Sequence, residues 1–334
     1  MHFREAALVL PPGFYRERLE GMASTNLEVG AGGRAGATRG RRQLSDRSLQ
    51  RLFILPTLIL LIVWNVFPLF YSLYLSFTEY SVISREAPVW VGFENYAWVL
   101  NNDGLWESFA TTGTFALLSV AIQTVLGFGL AMLLREKFKG SGLVTTLLLI
   151  PMMLSPVVVG LFWTVIFNPS FGIFNYLIGF TNPAVAPDWL ALPNTALWAV
   201  VIVDVWMWTP FVMLLVLSGL SAIPEYLYEA AAIDRASAWF QFRRITLPQV
   251  APLLLIAVLF RTIEAFKAFD LVMGLTGGGP GDATEVVAVN LYRLAFLGQF
   301  RTGRASALAY VVLVIIIAVS NLYIRYLNKI RDAD

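Results

Sequence analysis

The side chains in this 334-residue chain that could do chemistry are few, and they fall in two places. Within apolar stretches, Asp204 is followed by Trp206 and Trp208, and Arg261, Glu264, Lys267 and Asp270 recur every three residues further on. Carboxylates beside indoles suit a polyhydroxylated ligand: Asp204 and Glu264 would accept hydrogen bonds from hydroxyls, and Trp206 or Trp208 would stack on an apolar ring face. The same residues suit a structural role equally. A spacing of three keeps them on adjoining sides of a helix, so Arg261–Glu264 and Glu264–Lys267 can pair as a ladder that holds spans together. The second place is Glu229 to Pro248, which reads as two short helices. Pro224 and Glu225 suit a first helical turn, Glu229-Ala230-Ala231-Ala232 is strongly helix-forming, and Asp234 offers a cap to a second helix. That second helix would place Ala238, Phe242 and Ile245 on one face. Arg243 and Arg244 would sit near its C-terminal end, where the helix dipole favours cations, and Pro248 would end it.

Other chemistries have nothing to work with. The chain has no cysteine and its single histidine is His2, which removes disulfides, thiolate metal sites, cysteine nucleophiles and imidazole catalysis. No Gly-x4-Gly-Lys-Ser/Thr sequence occurs, so a P-loop for ATP is absent. No constellation for an enzyme emerges.

The elements that must position these residues are set by the solvent. Hydrophobic residues make up 57% of the chain and charged ones only 14%, far below the quarter usual in soluble domains, so lipid is the expected surroundings. Six apolar runs of about 20 residues follow one another: Leu52–Phe77, Ser108–Leu134, Leu143–Phe167, Thr195–Leu217, Gln249–Met273 and Ala305–Ile324. The expected fold is therefore all-α, a polytopic membrane protein with six transmembrane helices over residues 51–330, the loop at 221–248 included. Residues 1–50 are rich in glycine and arginine, lack periodicity and read as a disordered tail rather than a signal peptide. Met22 is an alternative translation start.

Lysine and arginine set the orientation. Nine lie in the tail to Arg51 and three each in the segments 135–142, 221–248 and from Arg325 onward, against one, none and three in the alternate loops. Eighteen against four places both termini and the Glu229–Pro248 loop in the cytoplasm. Pro151, Pro156 and Pro210 fall inside spans three and four, and the fifth leads into Gly277-Gly278-Gly279-Pro280. Broken helices are tolerated only when buried in protein or facing a water-filled cavity, so these spans are expected inside the bundle. Trp90, Phe93, Tyr96 and Trp98 in the first outer loop, and Phe171, Phe174, Tyr176 and Trp189 in the second, suit a membrane interface.

On physics alone, the Glu229–Pro248 helix pair is either an interfacial helix in lipid headgroups or a docking surface for a cytoplasmic partner. Its spacing, however, resembles the signature loop of the permeases of binding-protein-dependent ABC importers: Glu-Ala-Ala, three residues, Gly, nine residues, Ile, one residue, Leu-Pro. Here Glu229-Ala230-Ala231 is followed at the right distances by Arg235, Ile245 and Leu247-Pro248, with Arg235 standing where the glycine is expected. The segment Leu275–Gly281 with Thr284, the run Gly303-Arg304-Ala305-Ser306-Ala307, and Val91–Tyr96 are similar to the sugar-permease branch, maltose and glycerol-phosphate types.

The resemblance implies a type I ABC importer permease fold with no cofactor in this chain, ATP and Mg being held by partner ATPase subunits. It implies a bacterial inner membrane, a second and distinct permease, two ATP-binding subunits, an extracytoplasmic solute-binding protein and a sugar-type solute, with no role for nucleic acid. Glu229 would make the polar contact with the ATPase. A left-handed turn at Arg235 would cost on the order of 1 kcal/mol; the turn could also be tighter or more helical, or Arg235 could contact the partner. Asp204 and Trp206 match a segment that contributes to a mid-membrane sugar site in maltose-type relatives. The alternative is a secondary transporter driven by an ion gradient, with Asp204, Glu264 and Asp270 as proton or sodium sites and no role for the loop.

Overall fold

The computed structural model of the protein describes residues 46–84, 86–136, 138–179 and 186–331. The predicted tail up to residue 45, and Met22 with it, lies outside the described residues. By its contacts the chain divides into Met1–Leu60 and Leu61–Asp334. In the first unit the described residues belong to helix α1 (Asp46–Leu61).

Among the described residues, five helices are long and apolar enough to cross a membrane: Phe53–Ser76, Asp103–Leu134, Pro193–Ala222, Ala238–Phe266 and Thr302–Lys329. Four of these expected spans are therefore longer than their apolar runs. The predicted third span, Leu143–Phe167, is not one helix. It is split into α5 (Ser141–Leu149), a single 3-10 turn at Pro151–Met153 and α6 (Pro156–Ile166). The cause is local: Pro151 and Pro156 lack the N–H the ladder needs, and Ser155, preceding a proline, is pushed to an extended ψ of 132°. After the short helix α7 (Ile173–Leu177), Pro210 lies in mid-helix yet leaves α8 (Pro193–Ala222) continuous.

The centre of the second unit is α4 (Asp103–Leu134), α8 and α11 (Leu247–Phe266), packed on one another along their lengths. Lipid supplies no hydrophobic drive for helices to associate, so close backbone approach and hydrogen bonds must hold them. A Cβ at Gly127 of α4 would fall 2.7 Å from Val212 Cβ of α8, so only glycine lets these helices meet there. The predicted fifth span, Gln249–Met273, stops early: α11 ends at Phe266, and Asp270 opens a separate short helix, α12 (Asp270–Leu275). α12 packs against α6, and a Cβ at Gly160 would come within 2.9 Å of the Gly274 carbonyl carbon.

At the end of the bundle away from the Glu229–Pro248 loop, α2 (Phe67–Ser76) leads into a two-stranded antiparallel hairpin. It pairs β1 (Thr78–Glu79) with β2 (Val89–Trp90), Thr78 opposite Trp90. Asn95 of α3 (Glu94–Leu100) donates to Ser76 O and Thr78 O at 3.0 and 2.8 Å, which ties the hairpin to the bundle. The glycine-rich segment after α12 is folded back on itself. Thr276 and Thr284 hydroxyls meet at 2.7 Å, and Arg293 of α13 (Val287–Phe296) donates to Gly277 O at 2.7 Å while pairing with Glu285. The long terminal helix α14 (Thr302–Arg331) covers α2, α3 and α13.

Candidate functional site: a surface loop and a buried charge cluster

The loop between α8 and α11 is two ordered helical pieces. Its first, α9 (Tyr226–Ile233), starts one residue beyond Glu225, and Glu229 stands exposed in its first turn. Ala230 is exposed and Ala231 is buried, so one face of α9 meets the bundle and Glu229 faces away from it. The helix ends in a Schellman turn: Ala236 N donates to Ala231 O at 2.9 Å and Arg235 N to Ala232 O at 3.1 Å. Arg235 occupies the position just past the cap where glycine is usual, and it adopts φ +51°. The turn is therefore neither tighter nor more helical than the pattern requires, and Arg235 carries the left-handed strain itself, its side chain exposed.

Three expectations for the second piece need correction. Asp234 caps the C-terminus of α9 rather than opening the next helix. That task falls to Ser237, whose hydroxyl accepts from Phe240 N at 3.2 Å at the start of α10 (Ala238–Gln241). Pro248 does not end the helix, because Ala238–Phe266 runs through it unbroken. A π-turn over Phe242–Thr246 precedes it, Leu247 N reaching back five residues to Phe242 O, and this widened turn accommodates a proline that cannot join the ladder. The same device occurs at Ile62–Val66 ahead of Pro68. The extra residue also breaks the predicted Ala238, Phe242, Ile245 face: Ala238 is exposed, the other two are half-buried, and the buried side chain is Thr246.

The second cluster lies where α4, α8 and α11 meet. Asp204 of α8 is 3% exposed and Arg261 of α11 only 2%. Arg261 Nη2 donates to Asp204 Oδ1 and Oδ2 at 3.2 and 3.1 Å. Gln123 of α4 closes the ring: its Nε2 donates to Asp204 Oδ2 at 2.7 Å and its Oε1 accepts from Arg261 Nε at 2.9 Å. The Arg261 guanidinium lies 4.7 Å above the Trp208 ring. Sequence reasoning missed Gln123, whose signal was the single amide in a run of apolar and hydroxyl residues. Ser119, one turn earlier on α4, is also buried, and its hydroxyl has no partner among the described residues.

The predicted ladder is accordingly redistributed. Arg261 pairs with Asp204 instead of Glu264, while Glu264 and Lys267 do pair, at 2.6 Å, both about half exposed. Asp270 is no longer on their helix. Asp204, Trp208, Arg261, Glu264, Lys267 and Asp270 border one small cavity of about 100 Å³. Trp206 does not join them, since two residues along a helix point to nearly opposite sides. It packs edge-on against Trp163 at 5.6 Å and borders an apolar cavity of about 580 Å³ beside Leu126, Leu147 and Pro151.

Residues 123–332 match the protein family described as "Binding-protein-dependent transport system inner membrane component". The chain is similar to the trehalose/maltose transport system permease protein of Thermococcus litoralis, 37% identical over 288 residues that cover 86% of this chain and 96% of that protein. It is similar also to a probable starch degradation products transport system permease protein of Thermoanaerobacterium thermosulfurigenes, 32% identical over 284 residues, covering 85% and 94%. In fold it resembles a chain of a bacterial ABC transporter involved in the import of the acidic polysaccharide alginate. The TM-score is 0.72 at 21% identity, over 84% of this chain and 95% of that one.

Proposed function

Since the chain belongs to the family of binding-protein-dependent transport system inner membrane components, we propose that it is the permease subunit that carries a sugar or related polyol through an ATP-driven importer. The observation that carries this reading is the Glu229–Pro248 loop: two ordered helical pieces joined by a left-handed turn, with Glu229 exposed on α9. None of Glu229, Asp234, Arg235, Arg243 and Arg244 forms an ion pair among the described residues. Ordered charges without internal partners are the chemistry of a docking face, and the partner it suits is an ATP-hydrolysing subunit that holds ATP and Mg. The permease itself performs no covalent step.

The loop and both termini then lie in the cytoplasm, an orientation that the lysine and arginine asymmetry supports. Two ATPase subunits closing on ATP draw α9 of this chain and the equivalent helix of a second, distinct permease together, which switches the pair from inward-facing to outward-facing. A solute-loaded binding protein docks at the other end over Gly92–Tyr96 and Gly277–Asp282. The small cavity beside Glu264 and Lys267 offers polar groups for a hydroxyl, whereas the Trp208 ring already carries the Arg261 guanidinium and Asp204 contributes through Arg261 and Gln123, which occupy its carboxylate oxygens.

The test is solute uptake by the complex reconstituted in vesicles with its ATPase, second permease and binding protein. Uptake should require internal ATP and persist when an ionophore collapses ion gradients. Uptake that needs no ATPase and stops with the ionophore would establish the ion-gradient alternative.

A further inference from the structure

Beyond docking, the loop must pass a displacement into the bundle, and one side chain stands where α9 touches two core helices at once. Tyr228 precedes Glu229 and is half-buried. Its hydroxyl lies 2.9 Å from Thr246 Oγ1, and Thr246 is 2% exposed in the π-turn that opens α11. The Thr246 hydroxyl also faces Gln241 O at 3.5 Å, and in the Tyr228–Thr246 contact either hydroxyl can donate. The Tyr228 ring lies 4.1 Å below the guanidinium of Arg135, which caps the C-terminus of α4. In the same π-turn Phe242 packs edge-on against Phe128 of α4, with ring centroids 5.8 Å apart.

We propose that Tyr228 is a positioning residue that couples α9 to α4 and α11 together, so that movement of the docking loop is passed to both helices that grip Asp204. This inference rests on the permease reading above. The geometry supports it from both ends. Gln123 lies on α4 about 18 Å from Arg135, and Arg261 on α11 about 22 Å from Thr246, at 1.5 Å per residue. Both side chains close on Asp204, so α4, α8 and α11 share one buried lock. A π-turn carries an extra residue and a weaker ladder, so without Tyr228 the loop end of α11 could flex and absorb the displacement. The Arg135 contact does the same for α4, a cation over an aromatic face holding orientation without fixing register.

The experiment uses the assembled importer in vesicles and reads solute taken up per ATP hydrolysed, with ATPase co-purification as the control for assembly. Tyr228→Phe and Thr246→Val each remove the hydroxyl contact while keeping shape. Each should lower uptake per ATP about fivefold, the weight of one hydrogen bond, with the ATPase still bound. The double variant should fall no further than either single one, and Thr246→Ser should restore the wild-type ratio. A wild-type ratio in both single variants, multiplied losses in the double variant, or loss of the ATPase from either single variant would each overturn the proposal. Failure of ATP-dependent uptake by the wild-type complex would instead strike the permease reading.

Discussion

The Glu229–Pro248 loop and the Asp204–Arg261 cluster each concentrate charge in an apolar chain, and they treat it in opposite ways. In the loop Glu229, Arg235, Arg243 and Arg244 are exposed and lack ion-pair partners among the described residues, while the backbone beneath them is closely ordered by a Schellman turn and a serine cap. In the cluster the side chains satisfy one another, and Asp204 and Arg261 are almost wholly buried. An exposed charge on an ordered backbone is solvated by water and free to meet something outside the chain, which is the role proposed for this loop. A charge answered on every side by its own helices serves the fold, and in a bilayer it has little choice, since each charge left unpaired at the centre of a span costs roughly 2.5–3.5 kcal/mol on insertion scales.

Substitutions in the two regions should differ in their effect on stability. Asp204→Ala strands the Arg261 guanidinium in the bundle and should destabilise the permease by about 3–5 kcal/mol, read as a lowered midpoint of thermal unfolding in detergent. Replacing Asp204 and Arg261 together by leucine should cost less than Asp204→Ala alone, because no unpaired charge remains. A wild-type midpoint for Asp204→Ala would mean that the pair does not hold the helices. In the loop, Arg235→Gly should raise the same midpoint, a gain of about 1 kcal/mol from releasing left-handed strain. A lowered midpoint would show that the Arg235 side chain makes a contact that outweighs its backbone. Glu229→Arg breaks no ion pair among the described residues and should shift stability by less than about 0.5 kcal/mol.

The two regions also differ in how far the sequence discloses them. The loop was legible in part because local rules govern its helix-forming run, and in part because its spacing resembles a family pattern that has glycine at the turn. Even the strain at Arg235 follows from what occupies that position. Where the reading failed, a local competitor had been overlooked: Ser237 out-competed Asp234 as the cap, and the π-turn let Pro248 sit inside a continuous helix. The membrane runs were legible because lipid demands them, yet which prolines break a span was not. Pro151 and Pro156 do, and Pro210 does not. The Asp204–Arg261 pair joins residues 57 apart on different helices, and Gln123 is 81 residues from Asp204, so no periodicity within one span could reveal either contact. Residue spacing along the predicted fifth span pointed to Arg261–Glu264 instead, and packing overrode it.

Co-purification decides whether the exposed charge of the loop serves an ATP-hydrolysing partner. Glu229→Arg should leave the folded permease intact, with an unchanged unfolding midpoint, while the ATPase subunits no longer co-purify and ATP-driven uptake is lost. A fully assembled and fully active Glu229→Arg complex would show that it does not.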